Sequence, residues 1–452
     1  MYQATRFVFD RYELIPAENK IVFEYVMEYS DHPAERFRET LTFPGIKKTY
    51  WKRIPAKLLQ RTLQTLHLAC GVSYWKMSCP PILAVTHGGM TAEQMEWWKI
   101  VYTQGMGEFY YKNKIDFRDL IHFEYTEGKA VAPISINLKD RCLVPIGGGK
   151  DSMVTAQLLR EHGFAFDAFT MGNSHIQTAA IEALGVSHVL VERQIDSLMV
   201  MRSKAGEVYN GHVPISLLYT FSALLTGMLT DYRTIVFSNE KSANIGNVIY
   251  HGLEVNHQWS KSLQCEEMVR EYVHRYLTPD MDLFSLLRPL HEYEIVRRFV
   301  KYGNYFSTVS SCNRNFVVSS AQPKAFEGAY WCGRCPKCAF MFALFAAFLS
   351  KEEVIRMFGK NLFADEELLP LYQELLGMKG IKPFECVGLP EEVLAAFADA
   401  AVRHEWDEDA LMKWFIDTVL PGPEVTDALK RELRAVGDLT TLPERFRACY
   451  DN

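Results

Sequence analysis

A glycine-rich run at residues 147–152, with the sequence GGGKDS, carries the strongest chemical signal in the chain. Its glycines let the backbone turn sharply and present bare N–H groups, and a helix that begins here adds its positive end. The Ser152 hydroxyl can donate to an anion, and the Asp151 carboxylate can hold Mg²⁺ or cap the helix. We therefore predict a phosphate-binding loop, with a ligand-free tight turn as the alternative.

Two well-known phosphate loops do not fit this run. A Walker A loop needs Ser or Thr after its lysine and a glycine at position 144, but Asp151 follows Lys150 and position 144 is Val. A dinucleotide fingerprint, G-x-G-x-x-G, needs a glycine where Ser152 stands. The loop therefore belongs to another class of phosphate site.

The run resembles the S-G-G-x-D-S loop of the PP-loop ATP pyrophosphatases. That superfamily binds ATP on a doubly wound parallel sheet of HUP-like type, and a substrate oxygen attacks the α-phosphate to give an adenylate and pyrophosphate. The resemblance implies that the run holds the pyrophosphate through Gly147, Gly148, Gly149, Asp151 and Ser152, with Lys150 as a further catalytic candidate. Gly147 stands where the superfamily usually has serine, so one hydroxyl donor is missing and backbone N–H groups must substitute.

The end of the next predicted strand is expected to meet the nucleotide. By position, the resemblance places Thr170, Gly172 and Asn173 against the adenine and ribose of ATP. The cofactors expected at this part of the chain are thus ATP and Mg²⁺.

Four of the ten cysteines follow a metal-binding spacing. Cys312, Cys332, Cys335 and Cys338 are spaced C-x19-C-x2-C-x2-C, and four thiolates match a tetrahedral structural Zn²⁺ site. Arg334 and Lys337 would offset the negative charge of such a site. An iron–sulfur cluster, free structural thiols and redox C-x-x-C chemistry are the alternatives. A similar cluster occurs in the 7-cyano-7-deazaguanine synthases, another PP-loop group.

Further polar residues are acid/base candidates because of their type and place. Glu240 follows a predicted strand, at the sheet edge where ligands bind in this architecture. His257 lies in a run dense in hydrogen-bonding groups. The run at residues 379–388 holds Glu385 and Cys386 between glycines. This last run is either a turn with a buried thiol or a loop that reaches the cleft.

The elements that position these residues follow from hydrophobic patterning. Alternation over residues 5–29 predicts a β-hairpin, and residues 56–70 a helix. From residue 142 onward, short apolar strands alternate with helices, which predicts an α/β fold with a doubly wound parallel sheet covered on both faces. We expect an N-terminal α+β domain over 1–135, an ATP-binding domain with the four-cysteine metal site over 136–350 and a helical C-terminal region over 351–452.

Composition narrows the class of protein. The chain has 452 residues, of which 48% are hydrophobic, so it can bury large cores. A net charge of −6 disfavours a nucleic-acid partner. The N-terminus lacks a signal-peptide pattern, and the longest apolar run, 339–349, is too short to span a bilayer. We expect a soluble, cytoplasmic protein with no membrane partner, and the oligomeric state stays open.

Several runs together resemble a narrower family, the ATP-dependent UDP-N-acetylmuramoyl-L-alanyl-L-glutamate epimerases. Besides GGGKDS, the runs are NGHVP (210–214), SNEKSAN (238–244), VNHQWSKS (255–262), SSCNRNF (310–316), WCGRCPKCAF (331–340) and KPFECVG (382–388). The resemblance covers roughly residues 60–400. It implies a small-molecule substrate, a UDP-linked muramoyl dipeptide whose terminal L-Glu is inverted to D-Glu with release of AMP and pyrophosphate, in peptidoglycan synthesis.

Chemistry gives a reason to combine adenylation with epimerisation. An adenylated carboxyl group no longer carries the negative charge that opposes loss of the α-proton, so two groups can then exchange that proton. The proton carriers are sought among Glu240, His257, Glu385 and Cys386. Another PP-loop ligase, a tRNA- or 7-deazaguanine-type modifying enzyme and a non-enzymatic nucleotide-binding module are the alternatives.

Overall fold

The computed structural model describes residues 2–316, 330–422 and 426–451. Its strands are β1 Ala4–Ile15, β2 Lys20–Tyr29, β3 Glu35–Thr42, β4 Ile82–Met90, β5 His122–Glu127, β6 Cys142–Pro145, β7 Phe166–Met171, β8 His188–Gln194, β9 Thr234–Phe237, β10 Val248–Tyr250, β11 Leu253–Val255 and β12 Asp282–Ser285. Ten of them form one sheet in the order β12-β9-β6-β7-β8-β3-β2-β1-β4-β5, and β10 and β11 pair separately.

The helices surround this sheet. They are α1 Ala56–Trp75, α2 Ala92–Thr103, α3 Gly107–Asn113, α4 Lys150–Glu161, α5 His175–Leu184, α6 Ser197–Ala205, α7 Ile215–Thr230, α8 Leu263–Tyr272, α9 Glu292–Phe299, α10 Pro336–Ala346, α11 Lys351–Phe358, α12 Leu369–Leu375, α13 Pro390–Val402, α14 Ala410–Thr418, α15 Asp427–Arg434 and α16 Glu444–Arg447. The predicted helix over 56–70 is α1, which continues to Trp75. At Gly71 the absence of a side chain lets α1 lie against the ring of Phe9.

The parallel half of the sheet contains β12, β9, β6, β7 and β8. The chain runs outward from β6 through β7 to β8, then returns to β9 on the other side of β6. The strand order therefore reverses between β6 and β9. In doubly wound sheets, ligands bind in the crevice that opens at the carboxyl ends of the strands at this reversal. The glycine run follows β6 and Glu240 follows β9, so both predicted features lie at this point.

The N-terminal half of the sheet joins the parallel half directly. The predicted hairpin is present as the antiparallel pair β1–β2, and β3 pairs antiparallel with β8 from Thr40–Gln194 to Thr42–Glu192. A buried ion pair between Arg193 and Glu39 reinforces this junction. One sheet thus continues across residues 135 and 136, and the expected division into three domains stays a prediction.

Two hydrophobic cores cover opposite faces of the sheet. Val144 and Val236 point into one core, together with α4, α5 and the C-terminal helices. Leu143 and Ile235, the neighbouring strand residues, point into the other core with α1, α7 and α8. Because successive side chains of a strand alternate between faces, these pairs show that both faces are covered. The predicted parallel arrangement with two covered faces is confirmed for β12, β9, β6, β7 and β8, whereas β1–β2, β2–β3 and β3–β8 pair antiparallel.

Helix α10 accounts for the longest apolar run. The side chains from Lys337 to Ala346 are all buried, and Pro336 occupies the first turn, where its missing N–H costs nothing. Within the described ranges, we find no helix whose length and hydropathy would allow it to cross a bilayer.

Candidate active site

The glycine run forms a tight turn between β6 and α4. Gly148 has φ +85°, and a Cβ atom there would lie 2.5 Å from Ile176 Cγ2, so this position requires glycine. Gly149 precedes the first residue of α4, and no side chain in the described part of the chain caps that helix. The first N–H groups of α4 are therefore available to an anion.

The polar residues of the run have defined partners. The Ser152 hydroxyl donates to the Gly149 carbonyl at 3.0 Å. Lys150 is buried beneath the loop, where its ammonium bonds to Asp151 Oδ1 at 2.5 Å and to Glu292. The Asp151 side chain keeps 25% of its surface exposed. Asp151 is thus the member of the run whose charged group faces outward.

Glu292, the first residue of α9, links the loop to α10. Its Oε1 accepts from Lys337 Nζ at 3.0 Å, and its Oε2 accepts from Lys150. Burial would raise the pKa of Glu292, but the two lysines lower it to about 2. The ammonium of Lys337 therefore pairs with this carboxylate. It does not offset charge at the cysteines, which is the role that we expected for it.

The end of β7 lies beside the glycine loop, because Ile146 N donates to Phe169 O at 2.9 Å. Thr170 is buried and its hydroxyl lies 2.7 Å from His188 Nε2. Gly172 has φ +91° with open space around its Cα, and the exposed Asn173 accepts from the Thr178 hydroxyl at 2.8 Å. Contact of Thr170, Gly172 and Asn173 with a nucleotide stays a prediction.

Glu240 occupies the opposite side of the crevice, after β9. Burial raises its pKa to about 7, and the charges of Glu292 and Asp151 act in the same direction. The buried Arg288 fixes the backbone here, because it donates to the Glu240 carbonyl at 3.0 Å and to the Lys261 carbonyl at 2.7 Å. A carboxyl group that holds its proton near neutral pH therefore faces the glycine loop.

A thiol and an imidazole meet in the same region. Cys386 Sγ lies 3.8 Å from His257 Nε2 and 3.2 Å from Lys261 Nζ. On its other side, His257 Nδ1 lies 2.5 Å from Glu108 Oε2. Two predicted candidates thus form one carboxylate–imidazole–thiol chain with a residue that the sequence analysis missed, Glu108.

The charges within this chain strongly shift its pKa values. Burial would raise the pKa of Cys386, but Lys261 and the hydrogen bond with His257 outweigh it and lower the pKa to about 5. Burial would lower the pKa of His257, but Cys386 and Glu108 raise it to about 9. At neutral pH the pair is therefore a thiolate beside an imidazolium.

Glu108 is held from several sides. Its Oε1 bonds to Lys112 Nζ at 2.5 Å, and His212 Nδ1 lies 3.4 Å from its Oε2. Glu108, His212 and His257 have the atom types of a metal site, with ligand atoms within 4.8 Å of one another. Lys112 and His257 both contact this carboxylate at 2.5 Å, and the Lys112 ammonium would repel a metal cation, so we interpret the group as a hydrogen-bonded carboxylate–histidine chain.

The loop at 379–388 reaches the cleft, as one of its two interpretations expected. Glu385 Oε2 accepts from the backbone N–H of Lys337, at the start of α10, at 3.0 Å. Asn247 donates to the carbonyls of Lys382 and Pro383 at 3.2 and 3.1 Å, and it accepts from His257 N at 2.9 Å. Asn247 thus holds the two loops that carry His257 and Cys386 against each other, and Glu385 anchors one of them.

The missed residues gave weak signals in the sequence. Glu108 lies in the helical segment GEFYYKN, and Asn247 lies just before the short strand β10, so neither follows a glycine loop or a strand of the main sheet. Lys261 stands in the polar run at residues 255–262, which is one of the runs that resemble the epimerase family. Spatial proximity across more than a hundred residues has no local signature.

The four cysteines of the cluster converge. Their sulfur atoms lie within 4.8 Å of one another, with Cys312–Cys335 at 4.0 Å and Cys332–Cys338 at 3.7 Å. The segment that carries Cys312 also touches the glycine loop, since Ser310 N donates to Gly148 O at 3.0 Å. The cysteine cluster therefore braces the glycine loop from one side.

Comparison with known proteins shows which family the chain resembles. A family profile described as the MurL N-terminal domain matches residues 1–286, and one described as the MurL C-terminal domain matches residues 308–429. A curated UDP-N-acetyl-alpha-D-muramoyl-L-alanyl-L-glutamate epimerase of Xanthomonas oryzae pv. oryzae is 37% identical, over 87% of each chain.

Two further relatives carry the same name. The protein of a Micromonospora species is 33% identical, over 91% of this chain and 90% of its own. The protein of Salinispora tropica is also 33% identical, over 91% of this chain and 88% of its own. Family profiles and relatives thus agree over most of the length, and the chain belongs to the MurL family.

Proposed function

We propose that this protein is an ATP-dependent epimerase that inverts the terminal L-Glu of UDP-N-acetylmuramoyl-L-alanyl-L-glutamate to D-Glu, through an acyl-adenylate, with release of AMP and pyrophosphate. The names of the relatives support the substrate and the inversion. One observation carries the proposal. The uncapped start of α4 and the Cys386–His257 pair lie near the same buried lysine, Lys337, whose charge interacts with both Asp151 and Cys386.

The two halves of this reaction need different groups. Adenylation needs a loop that holds the leaving pyrophosphate, and epimerisation needs groups that take and return a proton. A free carboxylate disfavours a carbanion beside it, whereas an acyl-adenylate removes that charge and acidifies the α-carbon. Placing both sets of groups in one crevice lets the second half act on the product of the first.

The proposed roles follow the positions at the crevice. As in the PP-loop superfamily, the backbone of Gly147, Gly148 and Gly149 and the Ser152 hydroxyl bind the pyrophosphate, while Lys150 keeps the loop neutral from beneath. Thr170, Gly172 and Asn173 bind the nucleoside. Asp151 supplies the exposed carboxylate for Mg²⁺, which when bound neutralises the phosphate charge.

We further propose that the four cysteines hold a structural Zn²⁺. A Zn–S bond of about 2.3 Å implies sulfur–sulfur distances of about 3.8 Å in a tetrahedral site. The observed distances of 4.0 and 3.7 Å fit that geometry. Cys312, Cys332, Cys335 and Cys338 would hold the ion, which when bound ties the Ser310 segment to the start of α10.

The decisive experiment incubates the protein with ATP, Mg²⁺ and UDP-MurNAc-L-Ala-L-Glu in deuterated water. We expect AMP, pyrophosphate and a D-Glu product with deuterium at the α-carbon. AMP without α-deuterium would refute epimerisation and leave a PP-loop ligase. Failure to form any AMP would leave a nucleotide-binding module.

A matched pair of variants tests the loop assignment. Asp151→Asn removes the exposed carboxylate and is expected to slow AMP formation by about 100-fold, a loss typical for removal of one electrostatic group from an active site. The control is Asp417→Asn, at an exposed position on α14, which should leave the rate unchanged. Equal rates for the two variants would place adenylation elsewhere.

A further inference from the structure

Cys386 differs from the other cysteines of the chain in its exposure and its neighbours. All ten cysteines are described, and nine of them are buried while Cys386 is partly exposed. Its sulfur contacts two groups that carry positive charge at neutral pH, Lys261 at 3.2 Å and His257 at 3.8 Å. A cysteine that is partly exposed, and whose thiolate two cations stabilise, has the surroundings of a reactive group.

We propose that the Cys386 thiolate is the catalytic base that removes the α-proton of the terminal glutamyl residue, with Lys261, His257 and Glu108 as positioning residues. This assignment rests on the proposed epimerase function and names the proton-abstracting group that the function requires. It selects one residue among the four acid/base candidates that the sequence suggested.

The distance between sulfur and imidazole sets how the pair works. For a carbon atom to lie between two reacting groups, each must be about 3–3.5 Å from it, which requires a separation of about 6–7 Å. Cys386 Sγ and His257 Nε2 are only 3.8 Å apart. Both groups therefore lie on the same side of the substrate. His257 stabilises and orients the sulfur, and it does not act on the opposite face of the α-carbon.

Glu108 fixes the imidazole in the required form. Its carboxylate accepts from Nδ1 at 2.5 Å, so Nε2 is directed at the sulfur, and the negative charge favours the imidazolium. This is the arrangement of a reactive group, a partner that exchanges its proton and a third group that orients the partner. Glu385, by contrast, is occupied by the Lys337 N–H and positions the loop.

The proton and electron balance of the step is simple. The α-C–H bond breaks, an S–H bond forms on Cys386, and the electron pair moves into the carbonyl group of the adenylate to give an enolate. A second acid then forms the new C–H bond on the opposite face. Glu240 fits that part, because Arg288 bonds to the carbonyls of both Glu240 and Lys261 and so holds the two residues together, and burial raises the pKa of Glu240 to about 7.

Partial reactions separate this role from adenylation. Cys386→Ser keeps the size of the side chain but removes the thiolate. We expect it to retain ATP–pyrophosphate exchange within about threefold of the wild type, and to lose α-deuterium incorporation by at least about 100-fold, as for removal of a general base. Retained exchange also shows that the variant is folded.

Three results would overturn the assignment. Wild-type α-deuterium incorporation by Cys386→Ser would assign the base elsewhere. A covalent acyl adduct on Cys386, detected by intact-protein mass spectrometry, would make the thiol a nucleophile. If the wild-type protein makes no AMP from this substrate, the proposed function itself is refuted. This result differs from the first two because it is seen without any substitution.

The positioning residues have a readout independent of activity. The rate at which iodoacetamide alkylates Cys386 should rise with a midpoint near pH 5 in the wild type, as the thiolate forms. Lys261→Met and Glu108→Gln should each move this midpoint upward, because each weakens the cationic surroundings of the sulfur. The control is Lys379→Met, an exposed lysine on the same loop. An unmoved midpoint in both test variants would refute their roles.

Discussion

At the scale of single residues, this protein concentrates paired charges beneath the glycine loop and beside the partly exposed Cys386. Lys150, Glu292 and Lys337 form a buried chain beneath the glycine loop, and Cys386 and His257 form a second pair nearby. Buried groups stay charged only when they are paired, since an unpaired buried group would shift its pKa and become neutral. The pairings therefore determine which groups can react.

The first residue-scale prediction concerns pH. The thiolate of Cys386 forms above a pKa of about 5, and Glu240, the proposed proton donor, loses its proton above a pKa of about 7, so α-deuterium incorporation should fall on both sides of this range. The acid limb is lost as pH falls through the lowered thiol pKa, and the alkaline limb as pH rises through the raised carboxyl pKa of Glu240. The groups that face the sulfur are His257, Lys261, Lys337, Lys382 and Glu385.

The measurement is the rate of deuterium incorporation from pH 4.5 to 10 at saturating ATP. Steps of about half a pH unit resolve limbs along which the rate changes about tenfold per pH unit. In His257→Asn, the acid limb should move to higher pH, because the thiolate loses its cationic partner. An acid limb at the same pH in this variant would contradict the pairing.

The second residue-scale prediction concerns Glu292. Glu292→Gln leaves Lys150 and Lys337 buried without their shared counter-charge, and should lower the free energy of unfolding by about 3–5 kcal/mol. Urea denaturation measures the loss. The control is Glu352→Gln, whose ion pair with Arg356 is exposed and should contribute little. Equal losses in the two variants would mean that Glu292 is not the shared partner.

At the scale of elements, the sheet reversal between β6 and β9 brings the glycine loop and Glu240 together, and the cysteine cluster holds one side of that loop. Ser310 N donates to Gly148 O, and a Cβ atom on Gly149 would lie 2.8 Å from Ser311 Oγ. The segment before Cys312 thus lies directly against the turn. Order in the cluster is transmitted to the loop by these contacts.

The element-scale prediction is that loss of the proposed Zn²⁺ weakens the proposed binding of ATP as well as the fold. Cys338→Ser should lower Tm by about 5–10 °C, since structural zinc contributes to folding. It should also raise the Kd for ATP by about tenfold, as the loop loses its support. Differential scanning fluorimetry, isothermal titration calorimetry and metal analysis report these effects.

The control for that prediction is Cys449→Ser, a buried cysteine outside the cluster, which should keep its metal content and its affinity for ATP. A variant of Cys338 that loses its metal yet binds ATP as the wild type does would show that the loop is independent of the cluster.

Much of the secondary structure around the glycine loop could be predicted from the sequence. The strand–glycine–helix pattern placed β6, the loop and α4, because apolar runs and turn residues are local signals. The pairing of β3 with β8 could not be predicted, since an alternating strand does not specify its partner. Glu108 was missed for the same reason, as its meeting with His257 depends on how that sheet continues.

At the scale of the whole molecule, one sheet joins the stretch that supplies Glu108 to the stretches that supply His257 and the loop. The junction between the two halves has few strand pairs and is strengthened by the buried Arg193–Glu39 pair. The distance between Glu108 and His257 depends on this junction and on the direct packing of α3 on β11, where Gly107 lies against Val255.

The whole-molecule prediction follows from this junction. Glu39→Gln leaves Arg193 without its buried partner, and should lower the free energy of unfolding by about 3–5 kcal/mol. It should also raise the alkylation midpoint of Cys386, because Glu108 is less firmly held against His257. The control is Glu24→Gln, whose partner Arg11 is 70% exposed. An unchanged midpoint in Glu39→Gln would show that the two halves are positioned independently of this pair.

The wide spacing of the carboxylate–imidazole–thiol chain also bears on how the protein is made. Glu108 and His257 are 149 residues apart, and His257 and Cys386 are 129 apart. Contacts across such distances form slowly, because long loops must close first. During synthesis, the glycine run emerges well before its supports at Glu292 and Ser310 and before the thiol of Cys386. We therefore expect the loop to gain its final support late, and the proposed proton-abstracting chain to form only after Cys386 has joined His257.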